Sequence, residues 1–115
     1  MQLEFESHPT VLVAHFRGRL DTQTSQSAEE VLLAEAGSRN DHLVVCLAET
    51  EYVSSAGLRV LLKAAKMMQG RGTRFALSQA NPQVMEVLEI SGFITIMRHF
   101  DDGEGALEYV NGAES

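Results

Sequence analysis

The order of strand and helix patterns predicts an α/β fold, with a mixed, mostly parallel central sheet of about five strands and about four to five helices. From residue 21 onward, short apolar runs alternate with segments of helical periodicity, which is typical of parallel strands joined by right-handed helical crossovers. At the start, two strand patterns follow one another without a helix between them and predict one antiparallel hairpin. All residues, 1–115, are expected to form a single domain.

The N-terminal hairpin is the part of the sheet that is predicted to be antiparallel. Apolar and polar residues alternate over residues 2–7, as in a half-buried strand. The turn signal His8-Pro9 follows. A second, apolar strand is predicted from Thr10 to Phe16, and Arg17-Gly18 is expected to end it.

The first helix and the central strand come next. Asp21 and Thr22 are both candidates for the N-cap of a helix whose apolar positions end before Gly37. The continuous apolar run Leu43–Leu47 is typical of a central strand that is covered on both faces. Cys46, the single cysteine, lies within this run, and we interpret it as a small core residue instead of a reactive thiol.

The second half of the chain continues the alternation of helix and strand. The predicted elements are a helix that begins at Ser54-Ser55 and stops near Gly70 or Gly72, a strand over Thr73–Ser78, a helix from Asn81-Pro82 to Ser91-Gly92, a strand over Phe93–Met97, and a helix opened by Asp101-Asp102. The tail Asn111–Ser115 is expected to fray.

Composition and charge argue against several classes of function. The net charge of −7, from sixteen acidic and nine basic residues, disfavours binding to nucleic acid or to an anionic membrane surface. No apolar run reaches the roughly eighteen residues of a membrane span, and the N-terminus lacks the basic start and apolar centre of a signal peptide. We therefore expect a cytoplasmic protein without membrane insertion, and the lone cysteine suits a reducing compartment.

Patterns for catalysis and metal binding are weak. His8, His15, His42 and His99 have no partners at metal-ligand spacing, so no metal site is expected. The serine pair lacks the G-x-S-x-G context of many serine hydrolases, and the chain has no P-loop or dinucleotide-binding motif. We expect no cofactor and no enzymatic activity, and a small hydrolase that uses Ser55 remains as an alternative.

The serine pair is the strongest functional signal in the sequence. Apolar residues have helical spacing from Leu58 onward, so Ser54 and Ser55 lie at the exposed start of a helix. One serine is enough for an N-cap, which is worth about 1 kcal/mol. A phosphate on the other hydroxyl, with a charge of about −1.5 to −2, would face the positive end of the helix dipole. The pair therefore indicates a site of reversible phosphorylation, beside the simpler interpretation of a cap.

The segment Tyr52–Leu62, which reads YVSSAGLRVLL, resembles the signature of the STAS domains that act as anti-sigma factor antagonists. Phe16–Asp21, Leu43–Leu47 and Ile90–Phe93 support the resemblance, which covers essentially the whole chain. The well-known form of the signature contains DSSGLG, whereas this chain has SSAGLR. Serine replaces the aspartate, alanine replaces the second serine and arginine replaces the last glycine, but the hydroxyl at the acceptor position is kept.

The resemblance implies an anti-sigma factor antagonist in a partner-switching module. The unphosphorylated protein binds an anti-sigma factor that is also a serine kinase, phosphorylation of Ser55 releases the partner, and a metal-dependent serine phosphatase resets the protein. Ser55 corresponds to the phosphoacceptor, and Ser54 is the second choice. The predicted docking surface, at the ends of two strands, comprises Asp21, Thr22, Gln23, Ser54, Ala56, Gly57, Leu58 and Arg59. Arg59 is expected to contact an acidic partner or the phosphate itself.

A second interpretation of the same fold stays open. In this alternative the chain is a non-switching STAS interaction subunit of a transporter or of a larger signalling assembly, and Ser55 is only a cap and a contact point. The free edge of the first hairpin would permit weak pairing between copies, so a monomer or a weak dimer is expected.

Overall fold

Six strands form one mixed sheet in the computed structural model, which describes residues 1–112. The strands are β1 (Gln2–Ser7), β2 (Val11–Leu20), β3 (His42–Cys46), β4 (Thr50–Val53), β5 (Phe75–Ser78) and β6 (Arg98–Phe100). The helices are α1 (Ser25–Gly37), α2 (Ser55–Gly70), α3 (Pro82–Ser91) and α4 (Gly103–Val110). Most of the predicted fraying tail, residues 113–115, lies outside the described residues.

The sheet confirms the predicted fold class. Its strands lie in the order β1-β2-β3-β5-β6, with β1 antiparallel to β2 and the other neighbours parallel. The sixth strand, β4, pairs in parallel with the last residues of β2, beyond the stretch of β2 that pairs with β3. Strand β2 therefore has two successive parallel partners, and the second of them leads directly into α2.

The extent of β2 corrects the sequence prediction. This strand was expected to end at Phe16, but it continues through Gly18 to Leu20. Gly18 has a φ of +105°, which side chains rarely allow, and the pairing register with β4 shifts between Gly18 and Arg19. The glycine that was interpreted as a strand end is instead a bulge within the strand.

Two further boundaries also differ from the prediction. Phe93–Met97 does not form a strand: Phe93–Thr95 is a single 3₁₀ turn that follows Gly92, the left-handed C-cap of α3, and the last strand comes after Met97. Neither Asp21 nor Thr22 is the N-cap of α1, because a turn intervenes and Thr24 takes that position.

Helices cover the two faces of the sheet unequally. Side chains of α1, α2 and α3 pack with alternate residues of β2, such as Leu12 and Phe16, to form the larger core. On the other face α4 covers a smaller apolar cluster, which includes Val13, Val44 and the buried Cys46. Among the described residues, no helix combines the length and the apolar character that a membrane crossing requires.

Candidate functional site

The carboxyl ends of β2 and β4 meet at one corner of the sheet. Leu20 pairs with Val53, and the backbone amide of Ser54 donates a hydrogen bond to the carbonyl oxygen of Leu20 over 2.9 Å. The structure therefore places two turns side by side: residues 21–24, which we call the Asp21 turn, and residues 54–59, which we call the serine corner. The sequence predicted this adjacency, because each of the two turns follows a strand.

Gly57 makes this close contact possible. A Cβ atom on Gly57 would lie 2.5 Å from the carbonyl oxygen of Leu20 and 2.9 Å from its Cγ atom. These separations are well below van der Waals contact, so the first turn of α2 can touch the end of β2 only because residue 57 has no side chain. The serine corner is consequently held tightly against the sheet.

The two serines of the corner have different surroundings. Ser54 is the N-cap of α2: its backbone is extended, and its Oγ accepts a hydrogen bond from the amide of Gly57 at 3.2 Å. Ser55 is the first residue of the helix and is exposed. Within residues 1–112 no hydrogen bond involves the Ser55 hydroxyl, so it is available to an incoming molecule.

The Asp21 turn is ordered by its own carboxylate. Asp21 Oδ1 accepts from the amides of Gln23 and Thr24 at 3.0 and 3.2 Å, and the Asp21 carbonyl accepts from the amide of Ser25 at 2.8 Å. Partial desolvation raises the pKa of Asp21, but the hydrogen bonds from Gln23 and Thr24, together with the Arg19 side chain, outweigh it and hold the pKa below its ordinary value. The turn therefore carries an ionised carboxylate with most of its hydrogen-bonding capacity already used.

One cleft of about 410 Å³ lies beside the serine corner, between the first halves of α1 and α2. Thr22, Ala56 and Arg59 line it together with the ion pair of Lys63 and Glu29, whose atoms are 3.1 Å apart. Arg59 is exposed, and no carboxylate in the described part of the chain lies within ion-pair distance of it. Within residues 1–112 the cleft therefore offers one cation without an ion-pair partner, four residues after Ser55 in α2.

A second groove, of about 680 Å³, flanks the corner on the side of α3. The guanidinium of Arg19 lies 4.6 Å from the centre of the Tyr52 ring, and Glu51 and Glu86 also line the groove. Arg19, Glu51 and Glu86 were not predicted to be site residues. Tyr52, a large side chain that is 38% exposed two residues before Ser54, was the available signal for this surface.

The predicted docking residues are only partly brought together at the surface. Asp21, Thr22, Ser54, Ala56 and Arg59 all lie at the corner or beside its cleft. The other three are placed differently: Leu58 is only 5% exposed and packs in the core, Gly57 is buried, and Gln23 lines a separate cleft next to the N-terminus. Leu58 therefore supports the corner from beneath and offers no side-chain surface to a partner.

Elsewhere in residues 1–112 the clusters of titratable residues are small. His15 Nε2 and His8 Nε2 lie 3.1 and 2.6 Å from the carboxylate of Glu6, and hydrogen bonding to His15 first, and then to His8, holds the pKa of Glu6 below its ordinary value. Across residues 1–112 no three or more His, Cys, Asp or Glu side chains converge as metal ligands would.

Known proteins resemble the chain over most of its length. The STAS domain family matches residues 2–106. An anti-sigma F factor antagonist of Paenibacillus polymyxa is 33% identical over 109 residues, which cover 93% of this chain and 92% of that protein.

Two solved structures share the fold. The anti-sigma factor antagonist SpoIIAA in its unphosphorylated form has a TM-score of 0.81 and 17% identity, and the match covers 99% of this chain and 100% of that one. The Bacillus cell fate determinant SpoIIAA in the phosphorylated form has a TM-score of 0.68 and 17% identity, with coverage of 95% and 99%. The family match and the similarity to the Paenibacillus protein confirm the resemblance noted at Tyr52–Leu62: the chain belongs to the STAS domain family.

Proposed function

We propose that this chain is an anti-sigma factor antagonist whose binding to an anti-sigma factor is switched by phosphorylation of Ser55. The observation that carries the proposal is the division of roles within the serine pair. Ser54 is occupied as the cap of α2, whereas the hydroxyl of Ser55 is exposed next to it without a hydrogen-bond partner in residues 1–112. A kinase would therefore find one of the two hydroxyls ready to react.

In the proposed reaction the chain is a substrate and the partner is the catalyst. Ser55 Oγ attacks the γ-phosphorus of ATP held by the kinase, a new O–P bond forms, and the bond to the β,γ-bridging oxygen breaks. ADP leaves, and the serine proton passes to a base of the kinase. Positioning and charge neutralisation by Mg²⁺ supply most of the catalysis in such transfers, so this chain needs no catalytic residue of its own.

The corner accommodates the product without refolding. Ser55 lies outside the tight contact between Gly57 and Leu20, so added atoms extend into solvent. The phosphate brings a charge of about −1.5 to −2 to a surface that otherwise presents a hydroxyl and a cation. A partner whose surface complements the unmodified corner would then meet an unfavourable charge, which favours release.

The cycle closes by hydrolysis. A metal-dependent serine phosphatase returns the Ser55 hydroxyl, and the antagonist binds the anti-sigma factor again. The name of the Paenibacillus relative supports the antagonist role, and the phosphorylated form of SpoIIAA, which has the same fold, supports modification by phosphate. We place this cycle in the cytoplasm, where ATP and the partner kinase would be present.

The modification is tested by incubating the purified chain with its cognate kinase and ATP, followed by mass spectrometry. Native protein and Ser54→Ala should gain one phosphate, and Ser55→Ala should gain none. Phosphate uptake by Ser55→Ala at the native rate would contradict the assignment. If native protein also stays unmodified, the non-switching interaction domain becomes the better interpretation.

Binding to the anti-sigma factor gives an independent test. Ser55→Ala should bind like the native protein and stay bound in the presence of ATP, whereas Ser55→Asp should bind more weakly. Ser27→Asp is a matched control, because Ser27 is also an exposed serine in the first turn of a helix but lies outside the serine corner. Equal weakening by both aspartate variants would count against a specific switch at Ser55.

A further inference from the structure

We propose that Arg59 holds the phosphoryl group of phosphorylated Ser55, in a charge-assisted pair formed within helix α2. The inference rests on the proposed function in that it takes phosphoserine at residue 55 as its starting point. It assigns to Arg59 one of the two roles that the sequence left open.

The positions of the two residues on the helix favour this pair. Ser55 is the first residue of α2 and Arg59 lies four residues later, and both are exposed. Side chains at this spacing lie on the same face of a helix with Cβ atoms about 5–6 Å apart, and the order of anion before cation is the more favourable one. Both side chains therefore point along the same strip of surface, away from the core.

The charges around the corner identify Arg59 as the available cation. Lys63, one turn further along the helix, is already paired with Glu29 at 3.1 Å. Arg19, on the other side of the corner, pairs with Asp21 at 3.4 Å and stacks on Tyr52. In the described chain Arg59 has no carboxylate within ion-pair distance, so a phosphate on Ser55 would displace no existing contact.

The chemistry of the guanidinium suits the ligand. An arginine presents several N–H donors in a planar fork that matches two oxygens of a phosphate, and such charge-assisted bonds are shorter and stronger than neutral ones. Thr22, which lines the same cleft, adds a hydroxyl on the α1 side. Two carboxylates on the α1 side of the corner are already engaged: Glu29, which lines the cleft, pairs with Lys63, and Asp21 is held by its own turn and by Arg19.

The pair would change what the corner offers to a partner. In the unmodified protein Arg59 has no ion-pair partner within residues 1–112 and lies four residues after the serine in α2. After phosphorylation the same cation is bound by its own helix. Phosphorylation would therefore add a negative charge and, at the same time, withdraw the positive charge of Arg59 from recognition.

The test uses protein in which phosphoserine is installed at residue 55 during translation, so no kinase is needed. A phosphorus NMR titration then gives the second pKa of the phosphoserine in the native background, in Arg59→Gln and in Lys66→Gln. Lys66→Gln is the matched control, because it removes the same charge from an exposed position of the same helix. We expect Arg59→Gln to raise this pKa by roughly 0.5–1 unit and Lys66→Gln to change it far less.

The outcomes separate cleanly. An unchanged pKa in Arg59→Gln would overturn the proposal, and so would an equal rise in both variants, which would indicate only the general field of the helix. Circular dichroism confirms that each variant is folded. Because the phosphoserine is installed directly, a negative result here leaves the kinase assay unaffected, and a failed kinase assay leaves the Arg59 measurement valid.

Discussion

Ser54 donates its backbone N–H to the carbonyl oxygen of Leu20, and this 2.9 Å hydrogen bond joins the last residue of β2 to the residue that caps α2. The bond continues the parallel ladder of β2 and β4 by one step beyond the strands. It therefore aligns the Asp21 turn with the serine corner, and the candidate site depends on this alignment more than on either segment alone.

Replacement of Gly57 by alanine should misalign the corner. The new Cβ would lie 2.5 Å from the Leu20 carbonyl oxygen, so either the helix start or the end of β2 must move. We expect a loss of about 1–3 kcal/mol in the free energy of unfolding, although alanine favours helix by up to about 1 kcal/mol elsewhere. Urea denaturation measures this loss. Gly70→Ala, in the same helix with nothing within 4 Å, should be neutral or stabilising, and similar losses in both variants would refute the explanation.

Substitutions of Ser54 should measure how much its capping hydrogen bond stabilises the protein. Ser54→Ala removes the acceptor for the Gly57 amide and should cost about 1 kcal/mol, as judged by chemical denaturation. Ser54→Asp keeps an acceptor at the helix start and should be close to native in stability. If Ser54→Ala were as stable as the native protein, the assignment of the 3.2 Å contact as a stabilising cap would be wrong.

Substitutions of Asp21 test whether its carboxylate orders the turn before α1. Asp21→Ala loses the acceptor for the amides of Gln23 and Thr24, so its midpoint of urea unfolding should fall. Asp21→Asn keeps an oxygen at that position and should lose less. The folded pKa of Asp21 is lowered from 3.8, so its contribution is present above that pH and is lost as the pH falls through the folded pKa. The stability difference between the native protein and Asp21→Asn should therefore shrink in acid, and a pH-independent difference would contradict this account.

His99 should also make stability depend on pH, but nearer to neutrality than Asp21 does. Burial lowers the pKa of His99 from 6.5, only partly offset by the charge of Asp101, and its Nε2 accepts from the amide of Ala80 at 3.0 Å. The unfolded chain therefore takes up this proton at a higher pH than the folded protein. Stability contributed by neutral His99 is full above about pH 6.5 and falls as the pH drops toward the folded pKa. Glutamine does not titrate. The advantage in unfolding free energy of the native protein over His99→Gln should therefore shrink as the pH falls below about 6.5. A constant difference would show that His99 has the same pKa in the folded and unfolded states, which would contradict the effect of burial.

Local signals explain why most of the fold was predictable. The Asn81-Pro82 start of α3 is a cap followed by proline, and the structure has Asn81 Oδ1 accepting from the Val84 amide at 2.8 Å. The apolar run at β3 is buried on both faces, as its composition indicated. Signals of this kind act within a few residues, so sequence alone is sufficient to read them.

The elements that were missed depend on distant contacts. Strand β4 contains the exposed residues Glu51 and Tyr52, and its one buried polar residue, Thr50, is satisfied by donating its hydroxyl to the carbonyl of Phe16 at 2.8 Å. Nothing near Thr50 in sequence indicates that partner. The apolar residues from Phe93 were wrongly predicted as a strand because a 3₁₀ turn also packs them against the core.

The candidate site shows the same division. The serine pair and the helix start were readable, because capping is a local property. The requirement for glycine at residue 57 could not be predicted from the sequence, because it arises from a contact with the carbonyl of Leu20 in β2. Leu58 lies on the apolar side of α2 by its periodicity, and the structure places it there, in the core, instead of on the docking surface where it was also assigned.

The two clefts that flank the serine corner carry opposite net charges, so the two sides of the corner are not equivalent to a partner. The cleft on the α1 side contains Arg59 and Lys63 against one carboxylate, that of Glu29, whereas the groove on the α3 side contains Glu51 and Glu86 against one guanidinium, that of Arg19. A protein that contacts the corner on both sides must place acidic side chains in the first cleft and basic side chains in the second. Turned by half a rotation about the axis of the corner, the same protein would set like charges against each other on both sides. The pairing of unlike clefts thus selects one orientation of docking before any single contact is considered.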